Sequence, residues 1–418
     1  MQDSALSGRF FENGIRCNLP QFLHQLLQVF LVGSMIGLTR TVLPGLSSTE
    51  FGLAEQQFIL LTAFVVVFGF IKAVMNLLAG RMSDRFGRKN ILILGWIAAL
   101  PIPILFYFAD SWYWILAATL FLGLNQGLSW SMALNSKLDL AKPTQRGLVN
   151  GLNEFSGYAA VGLAGLAAAV AVESLGAHLA LSILSMLTLC AGLYLAVFHI
   201  VETKPWAEDN GGSQSASRPQ GRPLNTLFAY ASLQYSPLVA LNQAGMVEKF
   251  VDALVWVLLP VYLLSRELSL IQASAIISVY GVVWGASQLV TGPLSDRIGR
   301  KPLIVAGMWI CALGVWAIVH SHGSGWWSLE AALIGLGMAM LYPTLGAAVA
   351  DHADAQERAT ILGIYRFWRD FGYAIGALVM GLAAQFTGRL ESAFELVAVA
   401  MVISGLWVWL KVPHKKIH

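Results

Sequence analysis

The chain has 418 residues, of which 57% are hydrophobic and 12% charged, and a formal net charge of +3. A soluble protein carries about twice that share of charged residues, so the composition excludes an ordinary water-soluble fold. The small positive excess does not indicate a nucleic-acid partner, because it follows from where the basic residues lie.

Residues 1–20 form a polar tail with no apolar core ending in small residues, so no cleavable leader is expected. Apolar runs of bilayer-crossing length then predict six helices over Gln21–Leu43, Gln57–Ala79, Asn90–Ala109, Trp112–Asn135, Gly147–Val172 and His178–Ile200. They make a first bundle, residues 21–201. Residues 202–226 are expected to form a linker, since Glu202 to Pro223 is Gly, Ser, Pro and charge and cannot bury a core. Six more helices cover Pro237–Leu264, Leu270–Thr291, Pro302–His320, Trp326–Ala350, Thr360–Phe386 and Glu391–Leu410, within a second bundle of residues 227–411 and before a tail of 412–418. Of the 26 Lys and Arg, five fall within helices and only Arg266 and Arg389 fall in loops on the outer side. That asymmetry places both termini and the linker on the cytoplasmic side. Cys17, Cys190 and Cys311 have no metal-ligand spacing.

The stretch Gly80-Arg81-Met82-Ser83-Asp84-Arg85-Phe86-Gly87-Arg88-Lys89 joins the second and third helices. It returns 212 residues later as Gly292-Pro293-Leu294-Ser295-Asp296-Arg297-Ile298-Gly299-Arg300-Lys301. Gly123-Leu124, Asp139, Arg146 and Gly151 recur at the same offset as Gly335-Leu336, Asp351, Arg358 and Gly363. Repetition without slippage marks an internal duplication of helices two to five as eight to eleven. In the loop, Asp84 is placed to pair with an arginine or cap the next helix, Gly80 to allow close helix approach, and Gly87 to allow a turn with positive φ. Such clusters can latch two halves together at the cytoplasmic face in one state and release them in another.

These motifs identify the chain as similar to the major facilitator superfamily, whose loop reads Gly-x-x-x-Asp-Arg-x-Gly-Arg-basic and is matched twice. The resemblance implies an all-α integral membrane protein: twelve transmembrane helices in two pseudo-symmetric six-helix bundles about an axis along the membrane normal. It also implies a substrate site between the bundles near the midplane and transport by rocking. Gating is assigned on this basis to Gly80, Asp84, Arg85, Gly87, Arg88, Gly292, Asp296, Arg297, Gly299 and Arg300. The drug–proton antiporters of this superfamily carry a Gly-Pro pair in the fifth helix, where this chain reads Gly157-Tyr158-Ala159-Ala160-Val161-Gly162. They also carry an arginine three residues before a Gln-Gly pair, whereas here Gln126-Gly127 is preceded by Gly123.

Nine ionisable residues fall within the predicted helices: Arg40, Lys72, Glu154, Glu248, Lys249, Asp252, Arg366, Arg369 and Asp370. Each costs about 2.5–3.5 kcal/mol at a helix centre, so they are expected to face a wet cavity or one another. Helical spacing gathers them into stripes. Glu248 and Asp252 share a face with Trp256, as do Arg366, Arg369, Asp370 and Tyr373, and Asn150, Asn153, Glu154 and Tyr158. Asn125, Gln126 and Trp130 on the fourth helix and Tyr280, Trp284 and Gln288 on the eighth complete the expected cavity wall. Glu248 and Asp252 are the first candidates for proton coupling, with Glu154 and Asp370 behind them. Arg40 is expected to bind substrate or gate the outer end, Arg366 and Arg369 to clamp an anion, and Lys72 to snorkel to the cytoplasm. Trp112, Trp114, Trp326 and Trp327 read as interfacial anchors.

No nucleotide-binding loop occurs, and no cofactor, metal site or enzyme constellation is expected. The sequence therefore reads as a monomeric inner-membrane secondary transporter for a small polar or anionic solute, coupled to protons. Its alternatives are a lipophilic-drug exporter and a non-transporting sensor or assembly factor on the same fold.

Overall fold

The computed structural model describes residues 12–54, 56–206, 222–354 and 357–413, without the side chains of residues 81, 84, 143, 147 and 359. Residues 207–221 of the expected linker, most of both expected tails and the side chain of Asp84 lie outside the described residues.

Described residues form helices and no strand. In the first half these are α1 (Leu19–Arg40), the one-turn α2 (Val42–Gly45), α3 (Phe58–Phe86), α4 (Arg88–Ala98), α5 (Pro101–Tyr107) and α6 (Trp112–Asn125). A π-helical turn, Gln126–Trp130, leads on to α7 (Ser131–Leu140), followed by α8 (Arg146–Leu175) and α9 (Ala177–Phe198). In the second half, α10 (Leu224–Ala229) and a π turn, Tyr230–Gln234, lead into α11 (Ser236–Ser265). Then come α12 (Leu270–Ile298), α13 (Arg300–Ile318), α14 (Ser324–His352), α15 (Arg358–Thr387) and α16 (Glu391–Lys411).

The duplication is exact to the residue in places. α3 and α12 are each 29 residues long and begin and end 212 apart, and so do the 30-residue helices α8 and α15. Gly87 and Gly299, at φ of 86° and 95°, each separate two long helices in the left-handed half of conformational space that a side chain disfavours. We call the end carrying these two glycines the loop end and the opposite one the far end.

Among the described residues nine helical stretches are long and apolar enough to cross a membrane, α4 and α5 counting as one. Three more helical stretches, α6 to α7, α11 and α15, fall outside that measure and are consistent with the expected twelve. α6 to α7 is cut by its π turn, while α11 carries three charged residues, Glu248, Lys249 and Asp252, and α15 carries four, Arg358, Arg366, Arg369 and Asp370. The hydropathy signal thus fails where polar groups concentrate. Pro101 explains the break inside the predicted third helix. It has no N–H to give, and Ala99 and Leu100 close short turns onto Trp96 and Ile97.

The outer surface is apolar, with Leu187, Val290 and Phe386 largely exposed, while Gln28, Asn125 and Asp252 are buried. That inversion suits a lipid surround. Trp112 and Trp327 are not interfacial anchors: both are buried, and their indole N–H groups donate to the carbonyls of Leu60 (2.7 Å) and Ile318 (3.1 Å). Trp114 and Trp326 are the exposed pair.

The two halves meet along α3 against α15 and α8 against α12. Toward the far end these crossings are tight. Ser278 Oγ donates to Gly162 O at 2.6 Å, and a Cβ on Gly281 would lie 3.1 Å from Tyr158 O. Trp256 of α11 sits edge-on to Phe64 and Phe68 of α3.

Candidate functional site: a charged aromatic cavity between the halves

A cavity of about 740 Å³ runs between the halves. It starts at Arg40, Val161 and Trp256 and reaches Arg146, Asp296 and Arg300 at the loop end, which is the side it opens toward. Its wall is aromatic, with Trp130, Tyr158, Trp256, Tyr342, Tyr365 and Tyr373. Arg40, Lys72, Glu154, Arg366 and Arg369 bring charge to it, and Asn76, Gln126 and Gln288 bring amides.

Of the residues expected in the wall, Arg40, Gln126, Trp130, Tyr158, Trp256, Gln288, Arg366 and Arg369 line it. Asn125, Asn153, Tyr280 and Trp284 do not. Asn125 donates to Gly95 O at 3.0 Å and ties α6 to α4. Asn153 donates to Glu154 at 2.7 Å, Tyr280 to Asp252 at 3.0 Å, and Trp284 stacks on Tyr158 with centroids 3.5 Å apart. These four support the wall from behind. Lys72 does not snorkel: it is buried, lines the cavity and lies 3.8 Å from Asp370. Lys72, Asn76, Tyr342 and Tyr365 were not among the expected wall residues. The offset of 212 holds a signal for two of them, since Asn76 is the counterpart of Gln288 and Tyr342 of Trp130.

Three charge clusters surround the cavity. At its far end Asp252 accepts from Arg40 Nη1 at 2.7 Å, from the Tyr280 hydroxyl and from the Tyr373 hydroxyl, with Lys249 3.8 Å away. Arg40 and Asp252 come from opposite halves, and both are buried. Behind the wall, Lys249 Nζ lies 3.3 Å from Glu248 and within 6 Å of the rings of Tyr158, Trp284, Tyr342 and Tyr373, a cage that suits a cation. Neither carboxylate oxygen of Glu248 has a hydrogen-bond partner among the described residues. The third cluster is Asp370, which accepts from Arg369 at 3.1 Å and from Asn76 across the α3–α15 crossing.

Two wall residues are less committed. Glu154 accepts from Asn153 and, at 3.4 Å, from Trp130 Nε1 through one oxygen, while its other oxygen is buried without a partner. Arg366 makes no ion pair or hydrogen bond among the described residues. Gln126 Oε1 and both polar atoms of Gln288 are also buried without partners. Buried polar atoms are rarely left unpaired without a reason, and here they gather on one cavity. Gly157 helps to form it: the Trp130 indole packs where a Cβ at that position would sit.

At the loop end the two repeats are wired alike. Arg88 binds Asp139 (3.2 Å) and Ser83 (2.9 Å), and its counterpart Arg300 binds Asp351 (3.3 Å) and Ser295. Asp296 pairs with Arg300 within its own loop. In the first half Glu202 adds a cap, accepting from the backbone N–H groups of Arg88 (2.9 Å) and Lys89 (3.1 Å) at the start of α4. Burial pushes the Asp139 carboxyl up to about 6 despite Arg88 beside it. Gly80 does not mediate a close helix approach, since a Cβ there or at Gly292 would meet nothing within 4 Å. One buried cation outside the expected set is Lys137, beyond the expected end of its helix, which donates to Gln25 O at 2.9 Å.

Comparison with known proteins agrees with this architecture. The family model of the Major Facilitator Superfamily matches the chain twice, over residues 26–247 and 244–418. The chain belongs to that superfamily. Its members include a probable 4-methylmuconolactone transporter of Cupriavidus pinatubonensis, 26% identical over 87% of this chain and 84% of that protein. The class C tetracycline resistance protein of Escherichia coli is 25% identical over 89% and 93%. In structure, the human organic anion transporter MFSD10 superposes with a TM-score of 0.68 over 94% of this chain and 99% of that one, at 15% identity, which speaks for the shared superfamily fold. The chain is thus a multi-pass membrane transporter of small molecules, not an enzyme.

Proposed function

We propose that the protein moves a flat, singly charged organic anion across the inner membrane by alternating access, with proton coupling. The observation that carries this reading is Arg366, a guanidinium on the cavity wall with no ion pair among the described residues. Around the cavity and directly behind it stand the cations Arg40, Lys72, Lys249, Arg366 and Arg369 and the carboxylates Glu154, Glu248, Asp252 and Asp370. Away from Arg146, Asp296 and Arg300 at the loop end, five against four leaves one positive charge, so a monoanion makes the deep part of the site neutral. An uncompensated charge in a poorly hydrated interior is costly, which favours a bound anion. The aromatic wall gives a flat solute surface to stack on. The relative named as a methylmuconolactone transporter supports the choice of an organic solute.

Both termini and the loop end face the cytoplasm in this reading, so the cavity is in its inward-open state. The Arg40–Asp252 pair, which joins α1 to α11, is the outer gate. The Arg88–Asp139 and Arg300–Asp351 pairs, each within one half and already formed with the cavity open, brace the loop ends that meet when the halves close there. Asp252, held by three donors and the nearby Lys249, serves as a fixed anion, and the proton is carried by Glu248, whose oxygens lack hydrogen-bond partners among the described residues. The protein works as a monomer, its two halves supplying the whole path.

The test is uptake into proteoliposomes of a radiolabelled aromatic monocarboxylate under an imposed pH gradient. Accumulation that a protonophore abolishes, and that Arg366→Gln and Glu248→Gln each abolish, is expected. Gradient-independent movement that both variants retain would overturn the proposal. A lipophilic cation carried in place of the acid would favour the drug-exporter reading, to which the tetracycline relative lends its weight.

A further inference from the structure

The cavity wall carries a second asymmetry, which concerns the other end of the solute. Glu154 and Arg366 are 212 residues apart and so occupy equivalent positions in the two halves, on α8 and α15. Both line the cavity. The duplication has thus placed opposite charges at one pseudo-symmetric pair of positions. Trp130 and Tyr342, also 212 apart, both line the cavity, Trp130 against Glu154 and Tyr342 under the guanidinium of Arg369.

Resting on the anion reading above, we propose that the site is bipolar and selects acids that carry a hydroxyl group away from the carboxylate. Arg366 receives the carboxylate, and Glu154 with Gln126 receives the hydroxyl hydrogen. The two acceptors are distinct in their bonding. One Glu154 oxygen is occupied by Asn153 at 2.7 Å and Trp130 Nε1 at 3.4 Å, which fixes the carboxylate plane. Its other oxygen is buried without a partner among the described residues, and so is Gln126 Oε1. Gln126 and Trp130 share the cavity because they bracket the π turn of Gln126–Trp130. Two unfilled acceptors on a wall call for a donor. A site with unfilled acceptors binds a solute that donates to them and disfavours an otherwise equal solute that leaves them unpaired. The charge count chooses between donors. With Glu154 counted as an anion, one positive charge remains, so the solute carries one net negative charge. A hydroxy acid fits that count, whereas an amino acid, with an ammonium against its carboxylate, leaves the excess in place.

Substitution of Glu154 by glutamine has a defined consequence. Asn153 and Trp130 donate to one oxygen, so the glutamine carbonyl takes that place and its NH₂ takes the place of the free oxygen. An acceptor becomes a donor without change of size. The experiment is calorimetric titration of the purified full chain in detergent with four probes: 3- and 4-hydroxybenzoate and 3- and 4-methoxybenzoate. The wild type is expected to bind at least one hydroxy acid about tenfold more tightly than its methyl ether. In Glu154→Gln that ratio falls to about one or inverts. Gln126→Leu, which leaves both Glu154 bonds in place, reduces the ratio by a smaller factor. Arg366→Gln loses all four probes. Equal affinity for a hydroxy acid and its ether in the wild type, or a ratio unmoved by Glu154→Gln, overturns the bipolar site and leaves the anion reading standing. Failure of all four probes to bind the folded wild type overturns both.

Discussion

Removing one member of the Arg40–Asp252 pair should cost far more than an exposed ion pair would. At 2.7 Å and an effective dielectric of about 20, the direct attraction is about 6 kcal/mol. Desolvation of the two buried groups offsets much of that gain, but deleting a single partner exposes the penalty without the attraction, about 3–5 kcal/mol. Asp252 keeps Tyr280, Tyr373 and Lys249 when Arg40 is lost, so Arg40→Gln belongs at about 3 kcal/mol. Arg40 without Asp252 keeps only the faces of Trp256 and Tyr280, so Asp252→Asn belongs nearer about 5 kcal/mol. The double variant should cost much less than the sum, with a coupling of at least about 2 kcal/mol. Unfolding of the purified protein in mixed micelles, followed by tryptophan fluorescence, measures all three. Additivity within about 0.5 kcal/mol would refute the pairing.

Other outcomes follow from single contacts. Gly157→Val should push the Trp130 indole out of place, and with it the bond to Glu154; ligand affinity should fall at least tenfold, read by titration, while the variant still inserts. Asp139 gives a pH dependence. Its carboxyl is raised from 3.8 to about 6 in the folded protein, so between those values the folded state holds more protons than the unfolded one. Stability therefore falls as pH rises through that window, by roughly 2–3 kcal/mol. Asp139→Asn should flatten the slope of melting temperature against pH between 4 and about 6. Glu202→Ala removes the acceptor of two backbone N–H groups at the start of α4 and should cost about 1 kcal/mol, measured by the same unfolding assay.

The duplication carried most of the fold into view. A repeat offset without slippage defined the paired helices, and α12 and α15 start and end where the offset puts them. The site was legible as stripes but not as wiring. Helical periodicity placed Asp252 and Arg366 on inward faces, yet Asp252 meets its arginine through a helix 212 residues away. Asn125 was misplaced for a local reason. Gln126 and Trp130 lie four apart and share the cavity face, while Asn125, one residue and about 100° round the helix, turns to Gly95. Lys72 was assigned outward because a lone lysine near a helix end usually snorkels. Its partner Asp370 becomes visible only once α3 is laid against α15. Lys137 escaped because the predicted helix stopped at Asn135, whereas α7 runs to Leu140.

In the proposed cycle an organic monoanion occupies the cavity against Arg366. The most direct test of that occupancy is the melting temperature of purified wild type and Arg366→Gln in detergent, with and without aromatic monocarboxylates at a hundred times their dissociation constant. Bound ligand at that excess adds about 2.7 kcal/mol of stability. A raised melting temperature is expected in the wild type, with no rise in Arg366→Gln and no stabilisation of either by lipophilic cations. Stabilisation by lipophilic cations alone, or by carboxylates equally in both proteins, would contradict the proposed occupancy.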